Sequence, residues 1–131
     1  MAGAKSFEEL DAWQLSVQLR DRVLPELQKE PASRDFAFCD QIRDSARSPA
    51  RNIAEGYGAY KPREFARFVR IARRSLMETK NHLLDGQHSK YFKEPLASEL
   101  ITLCNRALGA TTRLLQYLDS CNGRVPNDSR K

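Results

Sequence analysis

The sequence is short of the residues that most chemistry needs. Across 131 residues there are three cysteines, at positions 39, 104 and 121, an odd number with no Cys-x-x-Cys pair. This argues against a disulfide framework or a cysteine zinc site, and suits a reducing cytoplasm. The two histidines, His82 and His88, are six apart and do not share a helix face as metal ligands at i and i+4 would. His-Glu-x-x-His is absent, as is the paired Glu-x-x-His of di-iron bundles. Glu78 stands four residues before His82 and reads as a surface contact. No Gly-rich phosphate loop and no Gly-x-Ser-x-Gly elbow occurs. Six glycines and six prolines exclude a collagen-like or low-complexity chain. No apolar run approaches the roughly 20 residues of a membrane span, and residues 1–11 carry no stretch like a secretion signal. The expectation is a cytoplasmic protein that is not an enzyme and holds no metal or cofactor.

What is present is charge. Lys and Arg number 22 against 17 Asp and Glu, a net +5, with a sequence pI near 9.3. The excess is local: residues 61–80 carry seven basic and two acidic side chains, and residues 1–60 carry eight and ten. A concentrated basic segment attracts phosphates or an acidic partner, although a solvated helix face has the same composition.

The apolar periodicity is helical throughout and strand alternation is missing. A first helix is expected to open near Ser6-Phe7-Glu8-Glu9, which fits a capping box, with Asp11 as a second possible cap. Leu10, Trp13, Val17 and Leu24 form its apolar stripe, widened by Leu19, Val23 and Leu27. Pro25 should kink or end it. The second helix should run from Ser33 or Asp35 to about Tyr57, with Phe38, Ile42, Ala46, Pro49, Ile53 and Tyr57 on one side. Gly56 and Gly58 should end it and permit a positive-φ turn. A third helix starts at Pro62, with Phe65, Phe68, Val69, Ala72, Leu76 and Leu83 on one face, and fades around Gly86 to Ser89. A fourth follows Pro95, with a seam of Leu96, Leu100, Leu103, Ala107, Leu114 and Leu118 and a second seam of Ile101, Leu108 and Leu115. Short connections between four amphipathic helices specify an all-α, antiparallel up-down-up-down four-helix bundle, a single domain over residues 1–121 with a disordered tail over 122–131.

Two kinds of surface stand out. Arg63, Arg67, Arg70 and Arg74 fall in a narrow band opposite the apolar face of the third helix, with only Glu64 and Glu78 nearby. Arg43, Arg47 and Arg51 repeat at i, i+4 on the second helix, with Asp40 and Asp44 interleaved. Arginine suits bidentate phosphate contacts, and such rows track a phosphate backbone without reading bases. Tyr57 and Tyr60 are weak candidates for base stacking. The second feature is a mostly uncharged polar stripe on the second helix, Gln41, Ser45, Ser48, Asn52 and Glu55, beside its apolar face, while the third helix carries Ser75 and Glu78 on one flank. It reads either as solvent-exposed surface or as a polar network that sets register, with Asn52 and Glu55 fixing the turn at Gly56.

Gln41-Ile42-Arg43, Ser48 and Asn52-Ile53-Ala54-Glu55-Gly56, with Glu64-Phe65, Phe68, Ile71-Ala72 and Ser75-Leu76-x-Glu78 downstream, resemble a bacterial four-helix bundle family. Its members are labelled 23S ribosomal RNA intervening-sequence proteins, a label that reflects genes lying in inserts within ribosomal RNA genes. Phe7, Leu10 and Trp13 match the family's usual opening, and the resemblance covers roughly residues 6–120. The sequence departs from the pattern at Arg74, where a glycine often precedes the serine. The resemblance implies a bundle that assembles into a homopentameric ring. It also implies kinship with the accessory variability-determinant proteins of diversity-generating retroelements, which are basic pentamers that bind nucleic acid and a reverse transcriptase.

Three functions fit. The first is a non-enzymatic, oligomeric nucleic-acid-binding accessory protein whose RNA or DNA contacts are electrostatic and largely sequence-independent. The second is a protein-interaction scaffold ring in which the arginine rows make subunit ion pairs. The third is an enzyme or cofactor carrier using the bundle interior. Ile71 and Met77 off the main face of the third helix, and the two seams of the fourth, point to self-association.

Overall fold

The computed structural model describes residues 4–59 and 61–121. Four α-helices are present, α1 Asp11–Val23, α2 Phe36–Tyr57, α3 Pro62–His88 and α4 Leu96–Ser120. Among the described residues one 3-10 segment precedes α1, at Phe7–Glu9, and two lie between α1 and α2, at Leu24–Gln28 and Ala32–Arg34. No strand occurs among the described residues, and the helices form a four-helix bundle. The tail expected over 122–131 and Tyr60 lie outside the described residues.

One apolar cluster draws on all four helices. Leu19, Ile42, Ile53, Leu76, Leu83 and Leu100 are fully buried at its centre. In α1 the buried face is Ala12, Leu15, Ser16, Leu19 and Val23. The stripe expected there was centred one position off. Trp13, Val17 and Leu24 are half-buried at its margin, where an amphipathic side chain such as Trp keeps one edge wet.

The helix ends follow local chemistry. Ser6 makes no capping bond, so the capping box does not form. Leu10, with φ −77° and ψ 127°, is extended and separates the 3-10 turn from α1. Asp11 is the first helical residue and caps nothing; it only places a carboxylate near the positive helix end. Pro25 ends α1 as regular α-helix, and the chain tightens into a 3-10 turn. Asp35 caps α2 by accepting from the Phe38 amide at 3.1 Å, and its other oxygen accepts from the Tyr91 hydroxyl at 2.7 Å. Both bonds hold its carboxyl below the ordinary range. Pro49 is fully buried inside α2.

Neither glycine at the end of α2 has a positive φ, and only Gly56 is held by lack of space. Gly58 sits at φ −72°, and the turn is closed by backbone bonds from Gly58 to Ala54 and Glu55 and from Ala59 to Gly56. A Cβ at Gly56 would lie 2.7 Å from Phe68 Cβ and 2.8 Å from Phe65 Cδ1. Gly56 therefore lets α2 and α3 approach where they leave their connection. At the far end of α3, Gly86 packs against Phe92 in the same way, where a Cβ would lie 2.5 Å from Phe92 Cε2. The left-handed residue is Lys90, with φ 64°. Lys90 N bonds to Gln87 O at 3.1 Å and Tyr91 N to Gly86 O at 2.8 Å, the paired bonds of a Schellman stop.

Candidate functional site

The arginines singled out by the sequence all lie on helix surfaces, but they are not equivalent. Arg67 makes two bonds to Glu64, Nε to Oε1 at 2.9 Å and Nη2 to Oε2 at 3.1 Å. Its guanidinium also lies 4.5 Å from the centroid of the Phe68 ring. The paired bonds hold the Glu64 carboxyl below its usual range and push the Arg67 guanidinium up. Arg70 reaches Asp119 on α4, Nη2 to Oδ1 at 2.8 Å. The expectation that only Glu64 and Glu78 stand near this row is corrected by that contact, made across 49 residues of chain. Arg63 and Arg74 are exposed and have no ion pair among the described residues.

Arg43 on α2 is half-buried and pairs with Asp40 at 3.1 Å, as their spacing suggested. Arg47 and Arg51 are exposed and without an ion pair among the described residues. Four of the seven arginines, Arg47, Arg51, Arg63 and Arg74, thus keep their full donor set for an outside anion. The α3 row lies on the side of α3 that leans on α4, as Arg70–Asp119 and the Arg73 Nε bond to Thr112 Oγ1 at 3.0 Å show. Arg73, which sequence spacing did not mark, is a half-buried link between α3 and α4.

The polar stripe divides into a buried part and an exposed part. Ser45, Ser48 and Asn52 on α2 and Thr79 on α3 are buried. Asn52 Nδ2 donates to Ser48 O at 3.0 Å and to Ser48 Oγ at 2.9 Å. Ser48 Oγ and Ser75 Oγ are 2.7 Å apart. Thr79 Oγ1 stands 2.9 Å from Ser45 Oγ and 2.8 Å from Ser75 O. Ser75 O can only accept, so the one Thr79 proton goes either to it or to Ser45 Oγ, and in the first case the Thr79 oxygen is left to accept. A buried polar layer therefore crosses the α2–α3 interface. Thr79 was missed because a single β-branched residue on an apolar face reads as core.

Gln41 and Glu55 are exposed and outside this layer. The Asn52 amide turns back to Ser48 and does not fix the turn at Gly56. Glu78 is exposed, but its neighbour His82 is not: the His82 side chain is 12% accessible, with Nε2 3.6 Å from Glu78 Oε2 and the ring edge-on to Phe38. The pair is a half-buried contact and not the surface contact expected. Among the described residues, no group of three His, Cys, Asp or Glu is placed to hold a metal ion, and no helix is long and apolar enough to cross a membrane.

A family model described as 23S rRNA-intervening sequence protein matches residues 8–112. The chain belongs to this family. The match spans both arginine rows and the polar layer of the intervening-sequence fold, and stops before the last turns of α4 that carry Asp119. No curated protein matches the chain.

Proposed function

We propose that this intervening-sequence family protein is a non-enzymatic, oligomeric accessory protein that binds nucleic acid through phosphate contacts. The supporting observation is the exposure of Arg63 and Arg74, with Arg47 and Arg51 on α2, none of them in an ion pair among the described residues. An unpaired exposed guanidinium is free to exchange counterions for phosphate oxygens, so binding follows charge density and weakens with salt. The bundle is read as antiparallel, up-down-up-down. Support comes from cross-helix pairs that run down α3 as they run up its neighbours: Ser45 with Thr79 and Ser48 with Ser75, then Arg70 with Asp119 and Arg73 with Thr112.

The assembly is read as a homopentameric ring, in line with kinship to the retroelement accessory proteins, and a reverse transcriptase is the kind of protein partner such a ring would present RNA to. Met77 and Leu84 on α3, 47% and 44% accessible, supply apolar surface for contacts between copies. The same exposure favours a second reading, a protein-interaction scaffold that does not bind nucleic acid. Fluorescence anisotropy of labelled RNA and DNA duplexes across a salt series, with light scattering on the same sample, separates the two. Salt-sensitive binding by a ring-sized particle supports the nucleic-acid reading. A ring that retains no nucleic acid at low salt overturns it in favour of the scaffold.

A further inference from the structure

On the side of the molecule formed by α1 and α4, two adjoining hollows of about 580 and 420 Å³ share Gln18, Thr102 and Arg106. Together they form one groove running along α4 from Pro95 to Arg113. At 1.5 Å per residue this is roughly 27 Å long. Its walls differ from an ordinary seam between helices. Arg106 and Arg113, seven apart on one face of α4, both line it, and neither is in an ion pair among the described residues. Arg22 joins them at the other end, paired with Glu99 at 2.8 Å. The carboxamides of Gln18 and Asn105 and the hydroxyl of Thr102 line the groove with them. Among the described residues, Asp11 is the one carboxylate lining the larger hollow.

Gly109 also lines the larger hollow, and among the described residues a Cβ there would meet Arg113 Nη1, at 3.3 Å. The Arg113 guanidinium therefore lies back over the bare backbone of Gly109, along the groove.

We propose that this groove binds a single-stranded nucleic-acid segment, with Arg106 and Arg113 on successive phosphates and Gln18, Thr102 and Asn105 hydrogen-bonding sugars and base edges. The chemistry selects this occupant. Two unpaired guanidiniums in line suit a repeating anion. Neutral donors and acceptors lining the groove with them match the edges of unstacked bases. A trench between two helices admits a single strand and excludes a duplex, which would stand on its rim. Among the described residues no aromatic side chain lines the groove, so affinity there comes from phosphate contacts and not from stacking. The site is separate from the α3 arginine row, and the inference rests on the nucleic-acid reading only in sharing its ligand class.

The test titrates a short labelled oligouridylate and a labelled RNA duplex into the full chain across a salt series. Arg106→Gln/Arg113→Gln should weaken single-strand binding severalfold and reduce the slope of log K against log salt by about 1.4, at roughly 0.7 per phosphate contact. Duplex binding should be unchanged. Gly109→Leu alters no charge, raises helix propensity and fills the groove; it should weaken the single strand to a similar degree, with an unchanged far-UV circular dichroism spectrum. Wild-type affinity for oligouridylate in either variant overturns the proposal. Loss in the arginine variant alone overturns it too, since surface charge then suffices. Arg63→Gln/Arg74→Gln keeps the two readings apart. If that variant alone weakens binding, the groove fails and the α3 row stands. If wild-type protein binds neither ligand, both fail.

Discussion

Single atoms decide several features of this molecule. At Gly56 the space for a side chain is already taken by Phe65 and Phe68. Gly56→Ala should therefore cost about 1–3 kcal/mol, as overpacking does, although alanine is the better helix former. A thermal melt should show a fall in Tm on the order of 5 °C. Lys90 presents the opposite case, a side chain in the left-handed region. Lys90→Gly should stabilise by up to about 1 kcal/mol, visible as a higher denaturant midpoint with an unchanged slope. Asp35 ties stability to acid. Its carboxyl is lowered by the Tyr91 and Phe38 bonds, so its contribution is present above the ordinary aspartate value near 3.8 and is lost as pH falls below it. Asp35→Asn should melt earlier than wild type at neutral pH, and the two curves should converge below pH ~4. Cys104, buried with its thiol 3.3 Å from Leu76 O, is pushed up to about 12 by burial. It should resist a thiol reagent at pH ~8 until the protein unfolds.

The helices themselves were legible because each carries a strong apolar period, and their starts and stops fell at prolines and at Asp35. The sequence misled where a contact made far along the chain, or a backbone angle that the local pattern does not encode, overrides a local rule. Ser6-x-x-Glu9 has the spacing of a capping box, but Leu10 turns extended and breaks the helix that the box would have started. Gly56-x-Gly58 has the look of a left-handed turn, yet neither glycine adopts one, and Gly56 is there for the phenylalanines of α3. The arginine rows were legible as surface, since a four-residue repeat of long cations cannot face an apolar core. Their sorting into paired and unpaired members was not, because Asp119 comes from the far end of the chain. That sorting makes a prediction at the level of the helix. Arg63→Gln/Arg74→Gln should reduce duplex affinity and salt dependence with little change in Tm. Arg67→Gln/Arg70→Gln removes guanidiniums already engaged by carboxylates. It should lower Tm slightly, by an amount fitting exposed pairs of at most about 1 kcal/mol each, and affect affinity less. Equal effects of the two variants on affinity would show that ion pairing with Glu64 and Asp119 does not limit these arginines.

For the molecule as a whole, the exposed Met77 and Leu84 on α3 bear on assembly. Replacing both with lysine should leave the helical content intact and shift light-scattering mass toward one chain, because like charges would then face any neighbouring copy. The buried hydroxyls of Ser45, Ser48 and Thr79 act at this scale too. They add little net stability, but they penalise any sliding of α3 along α2 that would strand them without partners. The start of the described chain offers a further consequence. The chain has one tryptophan, Trp13, and it stacks edge-on with Phe7 at 5.4 Å. Phe7 in turn meets Tyr57 at 6.4 Å, and the Tyr57 hydroxyl donates to Ala4 O at 3.1 Å. The protein thus carries its own lamp at one corner. Trp13 emission is a reporter of whether the leading turn is seated, readable without a label, and any ligand or partner that lifts that turn will announce itself as a red shift.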